Sequence, residues 1–211
     1  MSGVGEGERT SGFPIEKETK LVVSPEDYQV ILREGTVLDC RDQLNIYLHD
    51  PERLREGFGS FRIRFESDRQ PVATLKIPIR WVGEMREMVE IERPLSEMGP
   101  AFFPRPRRWI PIGSEVPEDY AKHFQDLGIL RIRRLGWMRN HRCVLDLGEI
   151  GQVELDRTRL PDGRFHYEAE IEEPSEDKHA ALVAAVKDIA PSAKGTRIGK
   201  FTRFIASLGL S

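Results

Sequence analysis

The stretch Ile15-Glu16-Lys17-Glu18-Thr19-Lys20-Leu21 places Glu16, Glu18 and Lys20 at i, i+2 and i+4. In an extended strand such positions share one face, so two carboxylates and an ammonium line one surface. Taken alone, the stretch fits an ordinary solvated strand face. It equally fits a surface that holds a metal ion beside an anionic substrate. Recurrence of the device along the chain decides between the two.

It recurs in both signs. Phe61-Arg62-Ile63-Arg64-Phe65 alternates strictly, with the arginines opposite Phe61, Ile63 and Phe65. In Val72-Ala73-Thr74-Leu75-Lys76-Ile77, Thr74 and Lys76 oppose Ala73, Leu75 and Ile77. If these two strands pair, their cations are neighbours, which destabilises a sheet unless an anion or carboxylates neutralise them. Arg131, Arg133 and Arg134 add a third basic cluster. The acidic counterpart lies in Val153-Glu154-Leu155-Asp156 and in Phe165 to Glu172, where Glu168, Glu170 and Glu172 oppose Tyr167, Ala169 and Ile171. The opposite faces are largely apolar, so helices are expected to cover the outside and the charges to point inward. A closed antiparallel barrel with a charged, wet interior satisfies the pattern. A sandwich with external salt bridges explains any one strand, but not the repeated pairing of a charged face with a clean apolar one. Hard carboxylate oxygens select Mg²⁺ or Mn²⁺, and Arg and Lys clamp phosphate oxygens. Together they equip a site for phosphoryl transfer, where positioning and charge neutralisation do most of the catalysis.

Composition bounds this reading. The 211 residues suit one large domain or two small ones, and a 32% charged content is high for a globular chain. The net charge of −3 supplies no global basic field, so no nucleic-acid partner is expected. No apolar run reaches the ~18 residues of a membrane span, and no membrane partner is expected. Residues 1–12 are rich in Gly, Ser and Glu and lack a signal-peptide core, so a disordered leader and a cytoplasmic location are expected. Cys40 and Cys143 stand in no metal-ligand spacing; two buried free thiols are the default, with a disulfide as the alternative.

Local signals place the elements. Ser24-Pro25-Glu26-Asp27 starts a helix that Gly35 ends. Gln43 to Leu48 alternates as a strand, broken by His49-Asp50-Pro51, and Glu52 to Glu56 reads as a turn or short helix. Glu87 to Ile91 is a further strand. The proline-rich Pro94–Pro117 stretch cannot be a central strand and leads to a helix over Val116–Leu127. A bulge is expected at Asn140-His141. Helices follow from Pro174 and, as a short packing helix, over Lys200–Leu210. His123, on an expected surface helix, reads as solvated, and His166 as structural. Trp81, Trp109 and Trp137 read as packing or rim residues, and Glu90 and Glu92 as salt-bridge partners.

At this point a family resemblance is visible. Glu16-Lys17-Glu18-Thr19-Lys20 resembles the ExExK signature of the CYTH, or triphosphate tunnel metalloenzyme, superfamily. Gln43 to Asp50, Arg62-Ile63-Arg64, Thr74-Leu75-Lys76, Val153 to Asp156 and Ala169 to Glu172 resemble its later strands in order and spacing, over about residues 13–175. The resemblance implies an α+β fold, an eight-stranded antiparallel β-barrel forming a tunnel with helices packed outside, as one domain over 13–211. It implies that Arg62, Arg64, Lys76 and Arg133 or Arg134 bind a small-molecule triphosphate. Glu16 and Glu18, with Glu154, Asp156, Glu170 and Glu172, would hold Mg²⁺ or Mn²⁺. Lys20 would bind phosphate or assist the attacking water, with Glu18 beside it as the other catalytic candidate. Glu168 is a ligand or a salt-bridge partner. His49, where the family often has an aromatic residue, Pro51, where it often has Thr, and the long proline-rich stretch depart from the pattern. The implied activity is hydrolysis of inorganic triphosphate, a nucleoside triphosphate or thiamine triphosphate. An adenylate cyclase of the same fold and a non-catalytic polyphosphate- or nucleotide-binding module remain alternatives, and a homodimer is left open.

Overall fold

The computed structural model describes residues 15–54, 59–98, 102 and 108–210. In chain order the elements are β1 (Ile15–Val22), α1 (Pro25–Glu34), β2 (Thr36–His49), β3 (Ser60–Glu66), β4 (Val72–Val82), β5 (Met85–Pro94), β6 (Trp109–Pro111), α2 (Ile112–Glu115), α3 (Glu118–Asp126), β7 (Arg131–Asp146), β8 (Gln152–Arg159), β9 (Phe165–Glu172), α4 (Glu176–Ile189), β10 (Lys194–Gly195) and α5 (Lys200–Ser207). β1 closes the sheet. Its first half pairs with β5, from Ile15↔Val89 to Thr19↔Met85, and its second half with β9, from Glu18↔Glu172 to Val22↔Glu168. The ring runs β1-β5-β4-β3-β2-β7-β8-β9 and back to β1, eight strands, every pairing antiparallel. β6 adds to β7, and β10 to β1.

Period-two alternation sorts the side chains. Phe61, Ile63, Leu75, Ile91 and their neighbours on β2–β5 point outward and pack against Tyr120 and Phe124 of α3. The Tyr120 hydroxyl bonds the carbonyls of Ala73 and Ile91, each at 3.0 Å, which fixes α3 across two strands. On the other side Leu21, Leu145, Leu155, Ala169 and Ile171 pack under α1 and α4 through Ile31, Leu182 and Val186. α1 begins as its sequence predicts: the Ser24 side chain accepts from the Asp27 N–H at 3.0 Å, and Pro25 opens the first turn.

Several expectations need correction. The proline-rich stretch leads first to the four-residue α2, and α3 starts at Glu118 instead of Val116, because Pro117 serves as its N-cap. β7 has no register shift at Asn140-His141; the shifts fall between Val37 and Asp39 and between Tyr47 and Leu48. Cys40 and Cys143 are not free thiols. They face each other across β2 and β7 with Cα atoms 4.1 Å apart, and their sulfurs are joined. The leader at 1–12, Pro100, Pro104, Pro106 and residues 55–56 of the turn after Pro51 lie outside the described residues. Among the described residues no helix is long and apolar enough to cross a membrane.

Candidate active site in the bore of the barrel

Cross-strand register carries the charged face of each strand into the bore. Glu18 faces Glu172, Lys20 faces Glu170, Lys76 faces Glu90 and Arg142 faces Asp156. Glu154 and Glu170 stand directly opposite each other, as do Asp156 and Glu168. Like charges so placed repel, so the interior must supply cations. It does so from three walls and from α5.

Two cavities of about 650 and 790 Å³, each open to solvent at its mouth, occupy the bore. Their linings share Lys76 and Arg142, which reach in from opposing walls. The chamber at the α5 end is lined by Lys20, Arg62, Lys76, Arg86, Arg142 and Lys200 against Glu18 and Glu170, with Tyr47 and Phe201 as aromatic walls. The chamber at the other end is lined by Glu16, Glu90, Glu92, Glu154 and Glu172 against Arg64, Lys76 and Arg142. The bore is thus polarised, cationic at one end and acidic at the other. Gly59 lines the cationic chamber because a Cβ there would overlap the carbonyl oxygen of Lys76.

Most of the cations are already engaged. Lys20 pairs with Glu18 at 2.8 Å and, more tightly, with Glu170. Burial disfavours its charge, but Glu170 and Glu18 outweigh that and hold its pKa well above the usual lysine range. Lys20 is therefore an ammonium, a donor and not a base. Lys76 bonds Glu16 at 2.9 Å and Glu90 at 3.0 Å. Arg142 bonds Asp156 through Nε at 2.9 Å and Nη2 at 2.6 Å, and also contacts Glu154 and Glu170. Lys200, in the first turn of α5, bonds Asp156 at 2.7 Å and Glu170 at 2.6 Å and touches Glu168. Arg203 bonds Glu168 at 2.6 Å.

Two arginines differ. Among the described residues no carboxylate oxygen lies within 4 Å of Arg62 or Arg86, and their Nε atoms have no hydrogen-bond partner, although the Arg62 guanidinium bonds the Tyr47 side chain. Arg62 is 8% exposed and points into the cationic chamber. Arg86 lines the same chamber and lies over the Trp81 ring at 5.5 Å.

The carboxylates also divide. Asp156 and Glu168 are fully buried, yet both are held down to about 2: burial opposes this, but Arg142 and Lys200 prevail at Asp156, and Lys200 and His166 at Glu168. Glu16 goes the other way. Burial, and then its hydrogen bond with Glu90, push it up to about 10, and Lys76 does not offset them. Glu154 is pushed up to about 7 by burial against the pull of Arg142, with Glu172 and Glu170 adding to the rise. Oxygens of Glu16, Glu18 and Glu172 converge within 4.8 Å, as do those of Glu154, Glu170 and Glu172 and those of Asp156, Glu168 and Glu170. The last trio has its own cations. The first two contain Glu16 and Glu154, which burial pushes up despite their Lys76 and Arg142 partners, a condition that a divalent cation would relieve.

A model of the CYTH domain matches residues 14–205. The chain belongs to the CYTH family. No curated protein sequence matches it. Among solved structures, this CYTH barrel is similar to HpAC1 from Hippeastrum (TM-score 0.68, 22% identity, 90% of this chain and 95% of that one). It is also similar to a Bacillus halodurans protein described as a candidate adenylate cyclase (TM-score 0.65, 23% identity, 92% and 98%). PH1819 from Pyrococcus horikoshii is more distant (TM-score 0.56, 14% identity, 90% and 98%). At these identities the likeness shows the fold.

In this CYTH barrel Glu16, Glu18, Lys20, Arg62, Arg64, Lys76, Glu154, Asp156, Glu168, Glu170 and Glu172 all face the bore, as the alternation predicts. Neither Arg133 nor Arg134 lines the two chambers; Arg133 pairs with His49 and its Nε is buried without a hydrogen-bond partner. Arg133 packs over Trp109 at 5.1 Å, and Arg134 pairs with outward-facing Leu48. Arg142 is the β7 cation that lines both chambers. Lys200 and Arg86 are further bore cations that sequence reasoning missed. Glu90 is a salt-bridge partner, as read.

Proposed function

We propose that this CYTH protein is a metal-dependent triphosphatase. Water attacks the terminal phosphorus of a triphosphate, the phosphoanhydride bond breaks, and its electron pair leaves with the diphosphate. The observation that carries the reading is Arg62: a buried guanidinium aimed into a chamber, with no carboxylate partner, fits an anionic ligand. Arg86, half-buried on β5, adds a second guanidinium to the same chamber. HpAC1, described as having a dominant triphosphatase activity, agrees with this reading.

Roles follow from position. Arg62 and Arg86 clamp phosphate oxygens, and Lys200 and Lys20 add charge around them. Arg64 lines the acidic chamber, where it would meet the end of a chain that reaches through. Lys76 and Arg142, shared by both chambers, stabilise charge that develops at the bond being broken. Glu16, Glu18, Glu154 and Glu172, with Glu170, would hold Mg²⁺ or Mn²⁺, which when bound lowers the pKa of water and neutralises phosphate oxygens. Asp156 and Glu168 hold α5 in place and are not ligands in this reading. Glu18 borders both the Lys20 ammonium and the metal-binding carboxylates, and orients the attacking water. A cytoplasmic location goes with the proposal.

The test is a panel of inorganic triphosphate, nucleoside triphosphates and thiamine triphosphate with Mg²⁺ or Mn²⁺, reading phosphate, pyrophosphate and cyclic nucleotide. Phosphate release is expected from wild type and its loss in Glu18→Ala and Lys76→Ala. Equal rates in all three proteins would sink the proposal. Pyrophosphate with cyclic AMP would replace it by a cyclase.

A further inference from the structure

A second cluster of ligand-type side chains lies on the outer face of β2 and β7, away from the bore. Cys40 and Cys143 face each other there in register. His141 precedes Cys143 by two residues and so emerges on the same face. Its Nε2 lies 3.6 Å from the Cys143 sulfur, and its Nδ1 lies 2.9 Å from Oδ1 of Asp42 on the neighbouring strand. An ionised carboxylate only accepts, so Nδ1 carries the hydrogen and Nε2 turns its lone pair toward the sulfur. Orientation of a histidine by a carboxylate on its far nitrogen is how metal-binding imidazoles are held. The three donor atoms lie within 4.8 Å of one another. In a tetrahedral zinc site, bond lengths of about 2.0–2.1 Å to nitrogen and about 2.3 Å to sulfur set the N···S edge at about 3.6 Å. The separation of His141 Nε2 from the Cys143 sulfur already meets it.

We propose that, with the Cys40–Cys143 bond reduced, Cys40, Cys143 and His141 bind one thiophilic divalent cation of the zinc type. Asp42 orients the histidine and water fills the fourth position. A dithiol reductant supplies the two electrons and two protons that turn the disulfide into two thiols, and is itself oxidised to a disulfide. Metal binding then releases the thiol protons and leaves the oxidation state of the cation unchanged. Cys40 is exposed, while Cys143 is buried. The two states exclude each other, because sulfurs bonded to one another do not ligate. The proposal is independent of the chemistry in the bore.

The experiment is a Co²⁺ titration of the full chain, reduced and kept free of oxygen, read by the thiolate-to-cobalt charge-transfer absorption. Bore carboxylates cannot produce that band. We expect one equivalent in the reduced protein, displacement by Zn²⁺, and no band in the oxidised protein or in Cys40→Ser. Asp42→Ala is expected to weaken binding about 10- to 100-fold with unchanged circular dichroism. A reduced wild type without the band, or a band of full strength in Cys40→Ser, would overturn the proposal.

Discussion

The two ends of the bore are built from the same strands and solve opposite electrostatic problems. At the α5 end the carboxylates are saturated: Asp156, Glu168 and Glu170 meet Lys200, Arg142, Lys20 and Arg203. Two guanidiniums, Arg62 and Arg86, are left over there. At the other end the carboxylates are in excess, and burial together with their like-charged neighbours pushes Glu16 up to about 10 and Glu154 up to about 7. One end therefore lacks an anion and the other lacks a cation. In the proposed function a metal and a triphosphate together would supply both.

The largest test of this contrast is at Lys200. Replacement by Met leaves Asp156, Glu168 and Glu170 short of a buried partner and is expected to cost about 3–5 kcal/mol of stability, read from the denaturant midpoint; an unchanged midpoint would mean that α5 does not organise the cationic end. Next, Arg62→Ala and Arg142→Ala are expected to lower triphosphate hydrolysis on the order of 10²- to 10³-fold, while Arg133→Ala and Arg134→Ala stay within about twofold of wild type. A large loss in either of the latter would restore the placement expected from sequence. The smallest effect concerns Glu16. Its folded pKa of about 10 lies above the ordinary carboxyl value, so between about pH 4.5 and 10 the folded state binds more protons than the unfolded one. Metal-free stability should then fall as pH rises through that window. Glu16→Gln should remove that share of the decline and stabilise the metal-free protein at pH 8, while weakening its stabilisation by Mn²⁺. A thermal melt series at pH 5 and pH 8, with and without Mn²⁺, measures both; identical slopes for the two proteins would contradict the assignment.

The barrel was readable because period-two alternation survives in single strands: Arg62 and Arg64 sit opposite three apolar residues, and Glu168, Glu170 and Glu172 do the same. β7 was harder. Around Arg142 both faces are polar, with Asn140 inside and Arg139 and His141 outside, so alternation gives no direction. Near its start the register shift between Tyr47 and Leu48 leaves Leu135 without a partner and exchanges the faces, so Arg134 turns outward. Lys200 could not be placed from its own neighbourhood. Its helix has an apolar stripe like any packing helix, and only the long-range contact with β8 and β9 brings its amine into the bore. The cysteine pair is likewise a cross-strand event, 103 residues apart in the chain.

The closure at β1 has a consequence for the order of synthesis. β1 leaves the ribosome long before β9, one of its two neighbours in the ring, and before the helix that neutralises that neighbour. Until then Glu16, Glu18 and Lys20 belong to a strand with an open edge, and half the proposed metal site does not exist. Such a chain must delay its most distant contacts, the kind that slow folding. A ribosome stalled before Lys200 would hold a nascent barrel with unbalanced acids, so the proposed activity should arrive only with α5.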